Sequence, residues 1–192
     1  MRLVRTALVI AAAVSASAPA TGMAQAAERS PFHRGQWGAD FTVAFGFAGI
    51  GAIHFNAPDR AVVLDLSGDV ASSTSNGGGA RGNTNNATLS LGMRRYRGLA
   101  PNVQLFHTLG VEADYSHIYS ATGPVTTNEW GAGVFGELGA GWMVAPHLLL
   151  GANWRVDATY AHTSTKTPGG STSGHQLELA LGGVRLIGQL FF

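Results

Sequence analysis

The final stretch of the chain, residues 174–192 (GHQLELALGGVRLIGQLFF), restricts the possible folds more than any other. Apolar and polar side chains alternate along it, and this period of two is typical of a β-strand whose faces meet different surroundings. The stretch ends on an aromatic residue, Phe192. If this strand closes a barrel, the upstream sequence must supply an even set of similar strands.

The apolar residues of this stretch change parity at its centre. One parity holds Leu177, Leu179 and Leu181, and the other holds Val184, Leu186, Leu190 and Phe192. A regular strand cannot direct both sets to one face. Because Gly182-Gly183 lies at the changeover, we predict a β-bulge there that turns both Glu178 and Arg185 inward.

Three similar turns divide the upstream sequence. Each contains Ala-Pro, at 56–59, 99–102 and 144–147, and the prolines stand 43 and 45 residues apart, the length of an up-and-down hairpin. Proline cannot donate to a β-ladder and presets φ for a tight turn, so it suits a short connection. Longer polar segments lie between these turns, at 73–86, 121–128 and 164–173.

This spacing predicts eight strands in an all-β, antiparallel, up-and-down barrel spanning 36–192. The predicted strands are 36–46, 49–56, 60–72, 87–97, 102–119, 128–143, 147–163 and 174–192. The first hairpin requires an unusually short turn at 48–51. Without it the strand number would be odd, and the two chain ends could not lie on the same side.

One face of the predicted strands is apolar, and the other carries charge. A water-soluble barrel such as a lipocalin could show the same pattern with the faces exchanged. Aromatic residues near both ends of the apolar faces favour a transmembrane barrel with two interfacial girdles. At the turn side these are Trp37, Phe55, Trp142 and Phe192, and at the loop side Phe45, Tyr115, Tyr119, Trp130 and Tyr160.

The N-terminus has the pattern of an export signal. Residues 1–26 combine a positive start (Arg2 and Arg5), an apolar segment too short to span a bilayer, and a small-x-small cleavage site at 24–26. We expect 27–35 to be a short polar lead that is disordered from Glu28 to Gly35.

Composition excludes several classes of function. The chain has no cysteine, so disulfides and thiolate metal sites are excluded. Without Arg2 and Arg5, ten of the twelve Lys and Arg face eleven Asp and Glu, which gives no electrostatic argument for nucleic acid. No apolar run of 18 residues follows the signal, which argues against a helical membrane protein. The seven histidines lack metal-ligand spacing, and we expect neither a metal nor a cofactor.

Charges on the inner face form the first candidate site. The predicted inward set is Asp40, Asp65, Asp69, Arg94, Glu112, Asp114, Glu137, Arg155, Asp157, Glu178 and Arg185. An eight-stranded barrel is just wide enough to be filled by its own side chains, so these charges must pair or meet water. We predict a plug of salt bridges and water. The alternative is a narrow gated path for cations, because carboxylates outnumber arginines by eight to three in this set.

The signal peptide, the three Ala-Pro turns, the alternation and the terminal Phe192 together resemble the small bacterial outer-membrane barrels of the OmpA transmembrane domain and OmpX kind. The resemblance implies short periplasmic turns, longer extracellular loops and location in the outer membrane of a Gram-negative bacterium. It also implies contact with outer-membrane lipid and lipopolysaccharide, insertion by the barrel-assembly machinery through the strand that ends at Phe192, and a monomer. The implied function is a structural or surface role with minor gated permeability.

Two alternative functions remain open. His162, Ser164 and Glu178 are loosely similar to the His-x-Ser and Glu arrangement of the outer-membrane lipid A deacylases, in which a base and a carboxylate activate the serine. However, those enzymes have Asn after the serine, whereas this chain has Thr165. The other alternative is a surface adhesin or partner-binding barrel that acts through its loops.

Overall fold

The chain folds as a closed barrel of eight antiparallel strands, seen in a computed structural model that describes residues 30–74, 81–120 and 125–192. Each strand pairs with the next, and the last pairs with the first. The strands are β1 Trp37–Ala44, β2 Phe47–Ala57, β3 Arg60–Thr74, β4 Arg81–Ala100, β5 Val103–Ser120, β6 Val125–Ala145, β7 Leu148–Thr167 and β8 Gly170–Phe191. The predicted fold class and strand number are confirmed, whereas the predicted signal peptide at 1–26 lies outside the described residues.

One end of the barrel, here called the turn end, carries the three Ala-Pro connections. Two residues join the strands at each of them: Pro58-Asp59, Pro101-Asn102 and Pro146-His147. The start of β1 and the end of the chain also meet here, because Trp37 and Phe192 exchange two backbone hydrogen bonds of 3.3 and 3.0 Å. The start of the first strand and the end of the last strand therefore lie at the same end of the barrel as its short connections.

At the opposite end, the loop end, the strands extend further than predicted. β3 continues to Thr74 and β4 begins at Arg81, while β7 and β8 leave only residues 168–169 between them. The predicted loops at 73–86, 121–128 and 164–173 were therefore too long. Ladder hydrogen bonds join backbone groups, so polar Ser, Thr and Asn side chains do not end a strand, and β-branched Thr favours one.

The first hairpin exists, but its predicted turn at 48–51 was wrong. The connection is Phe45-Gly46, and Gly46 has φ of 74°. Glycine adopts a positive φ without the steric cost that other residues meet, so Gly46 suits this tight connection. The glycines at 49 and 51 instead lie within β2, where Gly51 faces Asp65 of β3.

The predicted β-bulge at Gly182-Gly183 is confirmed. Trp154 pairs with Val184, but Val156 pairs with Leu181, so both glycines lie opposite Arg155. The extra residue changes the parity of β8, which places its leucines and Val184 on the outer wall on both sides of the bulge. It also brings Glu178 and Arg185 to the inner wall, where both line one cavity.

The lead before β1 is ordered in its described part, which corrects the expected disorder. Phe32 enters the turn end of the barrel and is only 3 % exposed. The hydroxyl of Ser30 donates to the Pro58 carbonyl over 2.6 Å, and Gly35 N–H donates to the Phe55 carbonyl over 2.7 Å. The segment contains one large apolar side chain, and burial of that side chain orders it.

No helix in the described ranges is long and apolar enough to cross a membrane.

Candidate functional site

The candidate site is the interior of the barrel, which has three layers between the turn end and the loop end. An aromatic plug closes the turn end, an ion-paired layer crosses the middle, and a polar cavity opens toward the loop end. Side chains alternate between the two walls along every strand, so each strand contributes to these layers at every second residue.

The aromatic plug is formed by Phe32, Phe55, Tyr96 and Phe191. The Phe32 ring lies between the other three, at centroid distances of 4.6, 4.7 and 4.8 Å. Buried aliphatic residues from other strands belong to the same cluster, among them Val63 and Leu149. This layer is apolar, whereas the predicted inward set contained only charged residues, and it excludes water from the turn end.

The ion-paired layer lies next to the plug and is organised by Arg94. Its guanidinium donates to Asp40 over 2.6 Å, to Glu137 over 3.1 Å and to Thr108 over 2.9 Å. Gln189 donates to the same Asp40 carboxylate over 3.1 Å and accepts from Tyr96 over 3.1 Å. The plug and the ion-paired layer are therefore joined by hydrogen bonds.

Glu137 links two arginines across the barrel. One carboxylate oxygen accepts from Arg94, and the other lies 3.5 Å from Arg155. Arg155 also pairs with Glu112, donates to Ser90 over 3.0 Å and lies 3.8 Å above the Phe135 ring. A buried ion is stable only when it is paired and hydrogen-bonded, and both arginines meet this requirement.

The polar cavity lies beyond Arg155 and has a volume of about 210 Å³. Five carboxylates and two arginines line it: Glu112, Asp114, Glu129, Asp157 and Glu178, with Arg155 and Arg185. Side chains of β8 around Glu178 are exposed on both faces, so this part of the interior is open at the loop end. Its carboxylates give it an acidic lining.

The predicted inward residues all lie on the inner wall, but not all in one network. Asp65 lies in a small space beside Arg94, and Asp69 accepts from Asn86 over 3.0 Å. Arg185 lies 4.8 Å above the Phe47 ring, and no carboxylate of the described residues lies within 4.0 Å of it.

Two interior residues were missing from the prediction. Glu129 lines the cavity and accepts from Thr163 over 2.8 Å, and its parity on β6 already matches Glu137. Phe32 was missed because it precedes the first strand. The contacts of Gln189 with Asp40 and Tyr96 could not be predicted either, because they join strands that are distant in the sequence.

Most of the predicted girdle aromatics lie on the outer wall. At the turn end these are Trp37, Trp142 and Phe192, and toward the loop end Phe45, Tyr119, Trp130 and Tyr160, with Tyr115 half-buried against Trp130. Phe55 was wrongly placed among them. It is fully buried in the aromatic plug, because near the end of β2 the apolar parity with Ile53 and Phe55 faces inward, while His54 lies on the outer wall.

The structure separates the three residues of the deacylase-like arrangement. His162 and Ser164 lie on the outer wall, where His162 pairs across the sheet with His175. Glu178 lies on the inner wall and accepts from Gln176 over 2.6 Å. A barrel wall therefore separates the carboxylate from the histidine that it would have to orient.

A metal centre finds no support within the described ranges. No group of three or more His, Cys, Asp and Glu side chains is arranged there to hold a metal ion. The interior carboxylates are instead engaged by arginine, hydroxyl and amide donors.

Comparison with known proteins identifies relatives only at the level of the fold. No protein-family model matches the sequence, and no curated protein does. A major outer membrane protein from Thermus thermophilus matches with a TM-score of 0.62 and 16% identity, over 82% of this chain and 98% of that one. OprG from Pseudomonas aeruginosa matches with a TM-score of 0.56 and 15% identity, over 84% and 98%.

The N-terminal β-barrel domain of Pseudomonas aeruginosa OprF also matches, with a TM-score of 0.52 and 10% identity, over 83% of this chain and 98% of that one. At such identities the likeness concerns the fold alone. It agrees with the strand number, the antiparallel closure and the apolar outer wall described above. This chain has the fold of the small outer-membrane β-barrels.

Proposed function

We propose that this protein is an integral outer-membrane barrel with a structural or surface role, whose interior is closed to solutes in its resting state. The turn end would face the periplasm and the loop end the exterior, as short turns and longer strand extensions suggest. The outer wall supports this proposal, because its exposed side chains include many large apolar residues, among them Leu109, Leu138 and Trp142. Such a surface is stable in lipid and would aggregate in water.

The observation that carries the closed state is the pair of barriers inside the barrel. Arg94 and its carboxylate partners fill the middle of the interior, and Phe32 fills the turn end. Water or an ion would have to disrupt both layers to pass. Breaking the ion-paired layer alone would leave charges buried without partners, which costs several kcal/mol.

The test combines localisation, folding and conductance. We expect the protein in the outer-membrane fraction and expect unheated samples to migrate differently from heated ones on a denaturing gel. Reconstituted wild-type protein should show closed baselines in planar bilayers. Recovery in the periplasmic fraction would contradict the membrane assignment, whereas a constantly open channel would contradict only the closed interior.

A second candidate function is gated passage of small cations. The acidic lining of the cavity favours it, since Asp114, Glu129 and Glu178 have no arginine within 4.0 Å among the described residues. Local excess of negative charge concentrates cations and excludes anions. Rare cation-selective openings of the wild-type protein that become frequent in Phe32→Ala would support this function. Recordings without openings in both the wild type and Phe32→Ala would contradict it.

A further inference from the structure

Charge is distributed unequally between the two walls of the barrel. All carboxylates of the described strands lie on the inner wall: Asp40, Asp65, Asp69, Glu112, Asp114, Glu129, Glu137, Asp157 and Glu178. Near the turn end the outer wall nevertheless carries basic side chains, all of them exposed: Arg60, Arg95, Arg97 and His107. Arg95 and Arg97 of β4 thus point away from every strand carboxylate.

These four side chains form one patch on three neighbouring strands, here called the basic row. Arg60 pairs with Arg95 across β3 and β4, and Arg95 pairs with His107 across β4 and β5. Directly paired residues have Cβ atoms about 5 Å apart, and the like charges of Arg60 and Arg95 repel at this distance. Arg97 follows Arg95 on the same face, about 7 Å along the strand.

The chain itself supplies little compensating charge to the basic row. Arg60 lies 3.6 Å from the exposed carboxylate of Asp59 in the adjoining turn. Within the described ranges, Arg95 and Arg97 have no carboxylate within 4.0 Å. Their positive charge is therefore free to attract an external anion.

The surface around the basic row suits an amphiphilic ligand. A groove of about 390 Å³ runs beside Arg95 and Arg97 and is lined further by Leu105, His107 and Leu138. The exposed Trp142 lies on the neighbouring strand, nearer the turn end. An arginine on a lipid-facing wall is strongly destabilising at the bilayer midplane but costs little near the interface, where its head can reach phosphate.

We propose that the basic row binds the headgroup of an anionic phospholipid in the periplasmic leaflet, with one acyl chain along the groove beside Leu105 and Leu138. The arginines would hold the phosphate through charge-assisted, forked hydrogen bonds. This inference rests on the proposed function, because it requires the turn end to lie at the periplasmic interface. It adds to the proposed function a preference for anionic lipid headgroups at one defined position on the outer wall.

The test compares lipid retention by native mass spectrometry. The barrel is folded in detergent with equal amounts of phosphatidylglycerol and phosphatidylcholine at fixed salt, and the retained lipid is identified. Wild-type protein should retain phosphatidylglycerol preferentially. The double variant Arg95→Gln/Arg97→Gln should lower this preference about fivefold per arginine. The charge-preserving Arg95→Lys/Arg97→Lys variant should keep most of it.

The matched control is Arg34→Gln/Lys166→Gln, which removes two exposed positive charges outside the basic row. This control should retain the lipid preference of the wild type. An equal loss of lipid preference in Arg95→Gln/Arg97→Gln and in Arg34→Gln/Lys166→Gln would overturn the lipid site. So would the absence of any preference in wild-type protein that shows the heat-modifiable folded form. A wild-type protein that never acquires the heat-modifiable form would refute the proposed function itself, and the lipid site with it. Should the glutamine variant fail to fold, the wild-type preference and the lysine variant still decide the question.

Discussion

Arg94 on β4 donates a 2.6 Å hydrogen bond to Asp40 on β1, across the interior of the barrel. Both side chains are almost completely excluded from solvent, at 2 % exposure each. The bond joins strands that are not neighbours in the sheet and supplements the backbone ladder that closes the barrel.

Loss of Arg94 should destabilise the barrel strongly. Arg94→Met leaves Asp40 buried without its ionic partner, and removing one partner of a buried pair costs about 3–5 kcal/mol. The measurement is urea unfolding in lipid vesicles, followed by tryptophan fluorescence. Arg34→Met, at an exposed position of the lead, should change the unfolding free energy by less than about 0.5 kcal/mol. The double variant Asp40→Asn/Arg94→Met should lose less than the sum of the two single variants, and strict additivity would refute the coupling.

Loss of the Phe32 ring should loosen the turn end. Phe32→Ala removes the ring that contacts Phe55, Tyr96 and Phe191, and such a deletion in a packed core costs about 3 kcal/mol. Hydrogen exchange at the start of β2 and the end of β8 should accelerate. Phe45→Ala removes an equal ring from the exposed first turn and should leave those amides protected. Equal protection in Phe32→Ala and wild type would show that the lead is no part of the closed end.

The two glycines of the bulge should differ in their tolerance of alanine. A Cβ at Gly182 would lie 2.7 Å from the Arg155 carbonyl oxygen, whereas a Cβ at Gly183 would have nothing within 4 Å. Gly182→Ala must therefore displace backbone, and it should lower the unfolding free energy by about 1–3 kcal/mol. Gly183→Ala should change the unfolding free energy by less than about 0.5 kcal/mol. Urea unfolding of both variants measures this difference. Equal losses of unfolding free energy in the two variants would contradict the close approach at Gly182.

Ser164 should have no part in lipid A chemistry. Since Glu178 lies on the inner wall and His162 on the outer wall, the carboxylate cannot orient the histidine as a base for Ser164. Expression should leave lipid A mass spectra unchanged, with wild-type protein and with Ser164→Ala alike. Loss of an acyl chain on wild-type expression that Ser164→Ala abolishes would establish the deacylase alternative.

The loop-end boundaries and the inner and outer positions near the turn end could not be predicted reliably from the sequence. Consecutive apolar residues at strand ends, such as Leu149 beside Leu150 and Phe191 beside Phe192, match either wall. Leu149 and Phe191 in fact belong to the buried apolar cluster, while Leu150 and Phe192 lie outside. These doublets are the signal that could have indicated an apolar layer inside the turn end.

The sequence by itself determined the strand number, the three Ala-Pro turns and the bulge at Gly182-Gly183. These features depend on local rules: the two-residue period of a strand, the fixed φ of proline, and the change of parity around two glycines. The charged parity of β3 and of β5 to β8 likewise identified the inner wall of the middle of the barrel.

Only the tertiary structure decided which inner-wall residues meet. Asp40 and Arg94 are 54 residues apart, and Arg94 and Glu137 are 43 apart. Such contacts depend on the tilt and stagger of strands around the closed barrel, which no local pattern encodes. The same holds for Phe32, which lies outside every strand. Its burial depends on the rings of Phe55, Tyr96 and Phe191, which three different strands bring together at the turn end.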